Sequence, residues 1–88
     1  MSEEDSVFEF PCQFPIKAIG KNEAEFDVTV VEIVRKHAGD IYEGAVKSKL
    51  SKGDRFLSVT ITIEAQSKQQ LDAIYQDLND CPHVRMVL

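Results

Sequence analysis

The run Leu57-Ser58-Val59-Thr60-Ile61-Thr62-Ile63 constrains this chain more than any other stretch. Apolar and hydroxyl-bearing residues alternate with period two, and apart from Leu57 the apolar ones are all β-branched. Such side chains lose rotamer freedom in a helix and pack well on a pleated surface, so a strand follows, apolar on one face and wet on the other. A strand wetted on one side belongs to an antiparallel sheet that is covered on its other side. The rest of the chain must supply partner strands and that cover.

Two segments read as the cover. Asn22 with Glu25 three residues on has the spacing of a capping box, and Phe26, Val30, Ile33 and Val34 follow at helical spacing. Val28 and Val31 widen this stripe, the residues Glu23, Asp27, Glu32, Arg35 and Lys36 mark the wet side, and Gly39 is placed to stop the helix. Ser67 with Gln70 is a second capping box, opening a stripe of Leu71, Ile74, Tyr75 and Leu78 that Pro82 ends. Three further strands complete the set. Phe14, Ile16 and Ala18 oppose Lys17 and Ile19, with Gly20 closing the strand; Val46, Ser48 and Leu50 alternate with Lys47 and Lys49; and His83 to Leu88 places Val84, Met86 and Leu88 on one face. Ser51-Lys52-Gly53-Asp54 reads as a hairpin turn between the second strand and the third.

The order is strand, helix, strand, strand, helix, strand. Right-handed crossovers then put both helices on one face of a four-stranded antiparallel sheet of order 4-1-3-2. The expected fold class is α+β, a ferredoxin-like βαββαβ two-layer sandwich. At 88 residues the chain has room for one core. Residues 11–88 form the expected domain. Residues 1–10, with Glu3, Glu4, Asp5 and Glu9 and no base, form an acidic and partly disordered tail.

The net charge of −5 disfavours nucleic acid and anionic membranes as partners of the whole molecule. No apolar run approaches the ~20 residues of a membrane span. The N-terminus lacks the basic and apolar regions of a signal peptide, so a cytoplasmic location is expected. Cys12 and Cys81 are too few for a disulfide framework and form no C-x-x-C pair, so they read as small buried apolar residues.

The alternation leaves Lys17, Ile19, Lys47, Lys49, Phe56, Ser58, Thr60, Thr62, Arg85 and Val87 on the uncovered face. Four bases stand there against one acid, Glu64, whereas the tail and both helices are net acidic. This basic, hydroxyl-rich face is a candidate site for an acidic partner, with Lys17, Lys47, Lys49, Thr60 and Arg85 as its binding residues. The last strand is apolar and lies at an edge, which predicts a homodimer formed through it or through the nearby helix surface.

Catalysis is not expected. The loop after the first strand, Gly20-Lys21-Asn22, has no Arg to hold a phosphate, and no two cysteines share a loop to bind a soft metal. Neither His37 nor His83 has a nucleophile or carboxylate at a suggestive spacing. Glu23, Glu25 and Asp27 read as acids that complement a helix N-terminus. RNA binding on the open face would need aromatic platforms on the central strands, and only Phe56 is offered. No cofactor or metal is implied.

Several stretches resemble one family of small bacterial proteins. Phe10-Pro11-Cys12-Gln13-Phe14-Pro15-Ile16-Lys17 with Gly20, Val34-Arg35-Lys36-His37-Ala38, Ser51-Lys52-Gly53 leading to Ser58–Ile63, and the ending Val84-Arg85-Met86-Val87-Leu88 look like the YbeD-like family, a domain of unknown function. The resemblance runs from about Val7 to the end. It implies a ferredoxin-like fold similar to the ACT domains, modules that bind small effectors and regulate enzymes. Effectors of such modules commonly sit by the first strand–helix turn, which here is Gly20, Lys21 and Asn22. The function expected is a non-catalytic regulatory module for a small metabolite or a partner protein. The alternative is an adaptor working through the open face or the last-strand edge.

Overall fold

The computed structural model describes residues 9–88. Its elements are β1 (Cys12–Lys21), α1 (Phe26–Ala38), a short 3-10 turn (Glu43–Ala45), β2 (Val46–Leu50), β3 (Phe56–Ala65), α2 (Lys68–Asp80) and β4 (Val84–Val87). The sheet is antiparallel in the order β2-β3-β1-β4, as the alternation required. Of the expected acidic tail, residues 1–8 lie outside the described residues. Glu9 is exposed, and Phe10 is half-buried against the core.

β1 and β3 form the spine, pairing from Cys12 opposite Ala65 to Lys21 opposite Phe56. β2 covers only Leu57–Ile61 of β3, and the register of β4 runs only from Ala18 to Gly20 of β1. Even-numbered β1 residues turn their backbone groups toward β3, because the next such residue, Asn22, donates its N–H to the Arg55 carbonyl at 2.9 Å. Odd-numbered ones face β4: Lys17 and Leu88 exchange two bonds at 3.3 and 2.8 Å. Pro15 therefore directs its donor-less nitrogen past the end of β4, the place in a sheet where proline costs no ladder bond.

Ile16 and Ala18 of β1 lie opposite Ile61 and Val59 of β3, and all four are buried on one face. Phe26, Val30 and Val34 of α1 and Leu71, Ile74 and Leu78 of α2 cover them. Burying a side chain of this size contributes about 1.5–3 kcal/mol, so these positions carry the fold. The hairpin turn forms as expected, with Gly53 (φ 85°) and Asp54 (φ 58°) left-handed and the Asp54 N–H donating to the Ser51 carbonyl at 2.9 Å.

Three local expectations are corrected. Asn22 does not cap α1. Its Nδ2 donates instead to the Asp54 carbonyl at 3.0 Å, tying the end of β1 to the hairpin, and α1 begins at Phe26 behind a left-handed Glu25 (φ 67°) with no side-chain cap. Val28 does not widen the buried stripe but is exposed. β4 does not keep strict alternation: its register shifts between Ile19 opposite Met86 and Gly20 opposite Val84, so Arg85 is an extra residue at a bulge. Val84 and Val87 both pack on the core, and Met86 takes the open face.

Candidate docking face

The open face is built by cross-strand pairing rather than by any local motif. Lys47 of β2 lies opposite Thr60 of β3, and Thr60 lies opposite Lys17 of β1. The next row runs Lys49, Ser58, Ile19 and Met86 across all four strands. Side chains opposite one another on one face stand about 5 Å apart, so the two rows form one continuous patch. Four of the five partner-binding residues read from the sequence thus come together here: Lys17, Lys47, Lys49 and Thr60. Arg85, expected beside them, is exposed but sits at the bulge, outside the alternation. Its place is taken by Met86, 53% exposed, which sequence alternation had assigned to the core side.

Among the described residues none of Lys17, Lys47 and Lys49 enters an ion pair. Among the described residues the side-chain hydrogen bond made within this patch is local, the Ser58 hydroxyl donating to the Lys49 carbonyl at 3.3 Å. Glu64, the face's acid, accepts from Gln66 Nε2 at 3.1 Å one row beyond Thr62. The ammonium groups are left to solvent or to a partner.

The residues Gly20, Lys21 and Asn22 are divided by the structure. Lys21 and Asn22 line a shallow hollow of about 340 Å³ with Glu23, Arg55 and Phe56. Gly20 lies beneath it, buried, where a Cβ would stand 2.5 Å from the Phe26 ring and 2.4 Å from the His83 carbonyl. Its missing side chain is therefore filled by this protein's own Phe26 and does not open a space for a ligand. Arg55, the base the loop lacked, arrives from the β3 side through the Lys21–Phe56 pairing. No sequence spacing could have signalled it, since the two segments are distant in sequence and meet through strand pairing and the Asn22–Asp54 bond.

The histidines also have partners that spacing concealed. His37 Nε2 and Asp77 Oδ2 lie 2.6 Å apart between α1 and α2, and His83 Nδ1 lies 3.5 Å from Glu23 Oε2. The first pair joins Gln70 Nε2, which donates to the His37 carbonyl at 2.9 Å, in holding the two helices together. Cys12 and Cys81 are both free and half-buried. Among the described residues no three His, Cys, Asp or Glu side chains stand close enough to hold a metal ion, and no helix is long and apolar enough to cross a membrane.

Fold and face together define a small ferredoxin-like α+β domain with one sheet face uncovered. The chain belongs to the family described as "Protein of unknown function (DUF493)", which matches residues 5–88. It is 48% identical to a UPF0250 protein of Chromobacterium violaceum over 86 residues, spanning 98% of this chain and 97% of the relative. It is 42% identical to UPF0250 protein NE1487 of Nitrosomonas europaea, spanning 97% of this chain and 98% of the relative. The solution structure of protein HP0495 from H. pylori superposes with a TM-score of 0.74 at 18% identity, covering 92% of this chain and 85% of that one. Uncharacterized protein TM1266 from Thermotoga maritima superposes with a TM-score of 0.61 at 10% identity, covering 86% and 92%. At these identities the structural likeness concerns the fold alone.

Proposed function

We propose that this chain is a non-catalytic cytoplasmic binding module whose open sheet face docks the acidic surface of a protein partner. The observation that carries the reading is the uncovered row Lys47–Thr60–Lys17 with Lys49 beside it: bases without internal partners on a molecule whose net charge is −5. A protein acidic elsewhere yet basic on one flat face is oriented by an acidic partner, and the hydroxyls of Ser58, Thr60 and Thr62 supply hydrogen bonds in both senses. Ile19 and Met86 give the patch an apolar margin. A flat surface of this kind fits a macromolecule better than a small ligand, which needs enclosure.

The test is affinity capture from the source cells with the wild-type chain and with Lys17→Glu, Lys47→Glu and Lys49→Glu combined. A specific partner is expected to bind the wild type, to weaken as salt rises, and to be lost from the folded variant. A partner held equally by both would overturn the reading.

A second reading rests on the hollow at the end of β1, where Lys21 and Arg55 flank the Asn22 amide and outnumber Glu23 on the same lining. It takes a small carboxylate or phosphate effector, as a regulatory module would. A ligand at about 100 times its dissociation constant adds roughly 2.7 kcal/mol, so a thermal-shift series with amino acids, nucleotides and carboxylic acids separates the two readings. A shift abolished by Lys21→Ala with Arg55→Ala favours the effector. Association of two copies through β4 fits neither reading well, because a four-residue strand bulged at Arg85 is a protected edge.

A further inference from the structure

The opposite edge of the sheet is not protected in this way. β2 begins at Val46 opposite Ile61, so among the described residues no strand lies beside Thr62 to Ala65 of β3 on that side. Even-numbered β3 residues turn their backbone groups toward that side, since the Phe56 carbonyl accepts from the Ser51 N–H across the hairpin at 2.8 Å. Thr62 and Glu64 therefore present N–H and C=O groups outward at strand spacing. Among the described residues the side-chain bond that reaches them is Gln66 Nε2 donating to the Glu64 carbonyl, a long 3.5 Å. Beside this edge the segment after α1 stands off rather than pairing. A cleft of about 610 Å³ separates the two, lined by Ala38, Asp40, Ile41 and Tyr42 of that segment and by Lys47 and Thr60 of the basic patch.

We propose that this edge takes an extended segment of a partner polypeptide as an added strand, in line with β2. A row of alternating backbone donors and acceptors is matched by another extended backbone, not by a helix or a compact metabolite. The side-chain chemistry follows from the pleat. A partner residue opposite Ile63 faces the helix layer and meets Ala38 and Ile41, so it is apolar. A residue opposite Glu64 stands on the open face with Asp40 in the same cleft, so it is Lys or Arg. This binding element borders the basic patch and shares Lys47 and Thr60 with it, but at Glu64 and Asp40 its charge preference is the reverse.

The experiment selects a short random-peptide library against the full chain and measures binding of the recovered peptides by fluorescence anisotropy. Amide hydrogen exchange then locates the contact. Peptides with an apolar residue next to Lys or Arg are expected, slowing exchange at Thr62 and Glu64. Thr62→Pro removes one outward N–H and is expected to weaken binding about tenfold. Its ladder partner on β1 is already a proline, Pro15, turned to the other edge. Gly44→Trp, on the wall of the cleft where a Cβ meets nothing within 4 Å, blocks the same space without depending on the first variant's folding. Lys17→Glu with Lys49→Glu should leave peptide binding unchanged. The inference is overturned by a library that yields no binder, by binding indifferent to both edge variants, or by a concentration-dependent dimer that Thr62→Pro dissolves, which would make a second copy the occupant. Loss of binding on charge reversal alone would overturn the edge while leaving the basic face standing.

Discussion

Gly20 is the residue on which the meeting of β1, α1 and β4 turns. A Cβ there would stand 2.4 Å from the His83 carbonyl, which is backbone and cannot rotate away, and 2.5 Å from the Phe26 ring. Gly20→Ala is therefore expected to destabilise the fold by about 1–3 kcal/mol, read as a lower denaturant midpoint with unchanged slope. Any effect of that substitution on binding would follow from packing. Tyr75 makes a second prediction at this scale. Its hydroxyl donates to the Leu88 carbonyl at 3.3 Å, and desolvation by burial holds its pKa above the usual 10.0. The unfolded chain ionises this phenol first as pH rises, so the contribution is fully present below pH 10.0 and is lost through the folded-state value above it. Tyr75→Phe should flatten the alkaline fall of stability relative to wild type, and identical alkaline limbs would contradict the assignment.

At the level of elements, the two helices entered the sequence with similar start signals and were built differently. Ser67 caps α2 as its spacing predicted, accepting from the Gln70 N–H at 3.1 Å. The Gln70 side chain then does more than complete a box. Its Oε1 accepts from the Gln66 N–H at 2.7 Å, and its Nε2 donates to the His37 carbonyl at the end of α1. Gln70→Ala is expected to cost about 1–2 kcal/mol, more than an exposed helix position would, by urea denaturation. The Asn22–Glu25 spacing was as good on paper, but Asn22 is drawn to the hairpin by β1–β3 pairing, and the Phe26 ring must enter above Gly20. Tertiary contacts outweigh a cap worth about 1 kcal/mol. The β4 bulge has the same origin: strict alternation would have buried Met86, and one extra residue turned it outward and Val87 inward.

On the scale of the whole molecule, charge is distributed unevenly: α2 sets Asp72, Asp77 and Asp80 against Lys68, α1 balances Asp27 and Glu32 with Arg35 and Lys36, and the open sheet face gathers Lys17, Lys47 and Lys49. That unevenness is invisible in a net charge of −5. It becomes visible once the period-two pattern of β1, β2 and β3 is laid on one sheet, which is why Lys17, Lys47, Lys49 and Thr60 were legible as a group. Salt dependence of partner capture belongs to this scale, because exposed bases attract over about a Debye length, ~8 Å at physiological ionic strength. The unpaired edge of β3 also belongs here, since it exists only through the mismatch between a ten-residue β3 and a five-residue β2.

The sequence by itself determined the element order, the apolar faces of β1, β3 and α2, the sheet order and the family, because side-chain periodicity and turn chemistry are local and survive in a string of letters. Only the tertiary structure decided the rest. Arg55 joined Lys21 and Asn22, His37 met Asp77, Gly20 was filled by Phe26, and Thr62 and Glu64 were left with open backbone groups. Each of these depends on which segments are brought together and where one strand stops short of another. Both follow from the global packing of two helices on four unequal strands, which no local spacing encodes.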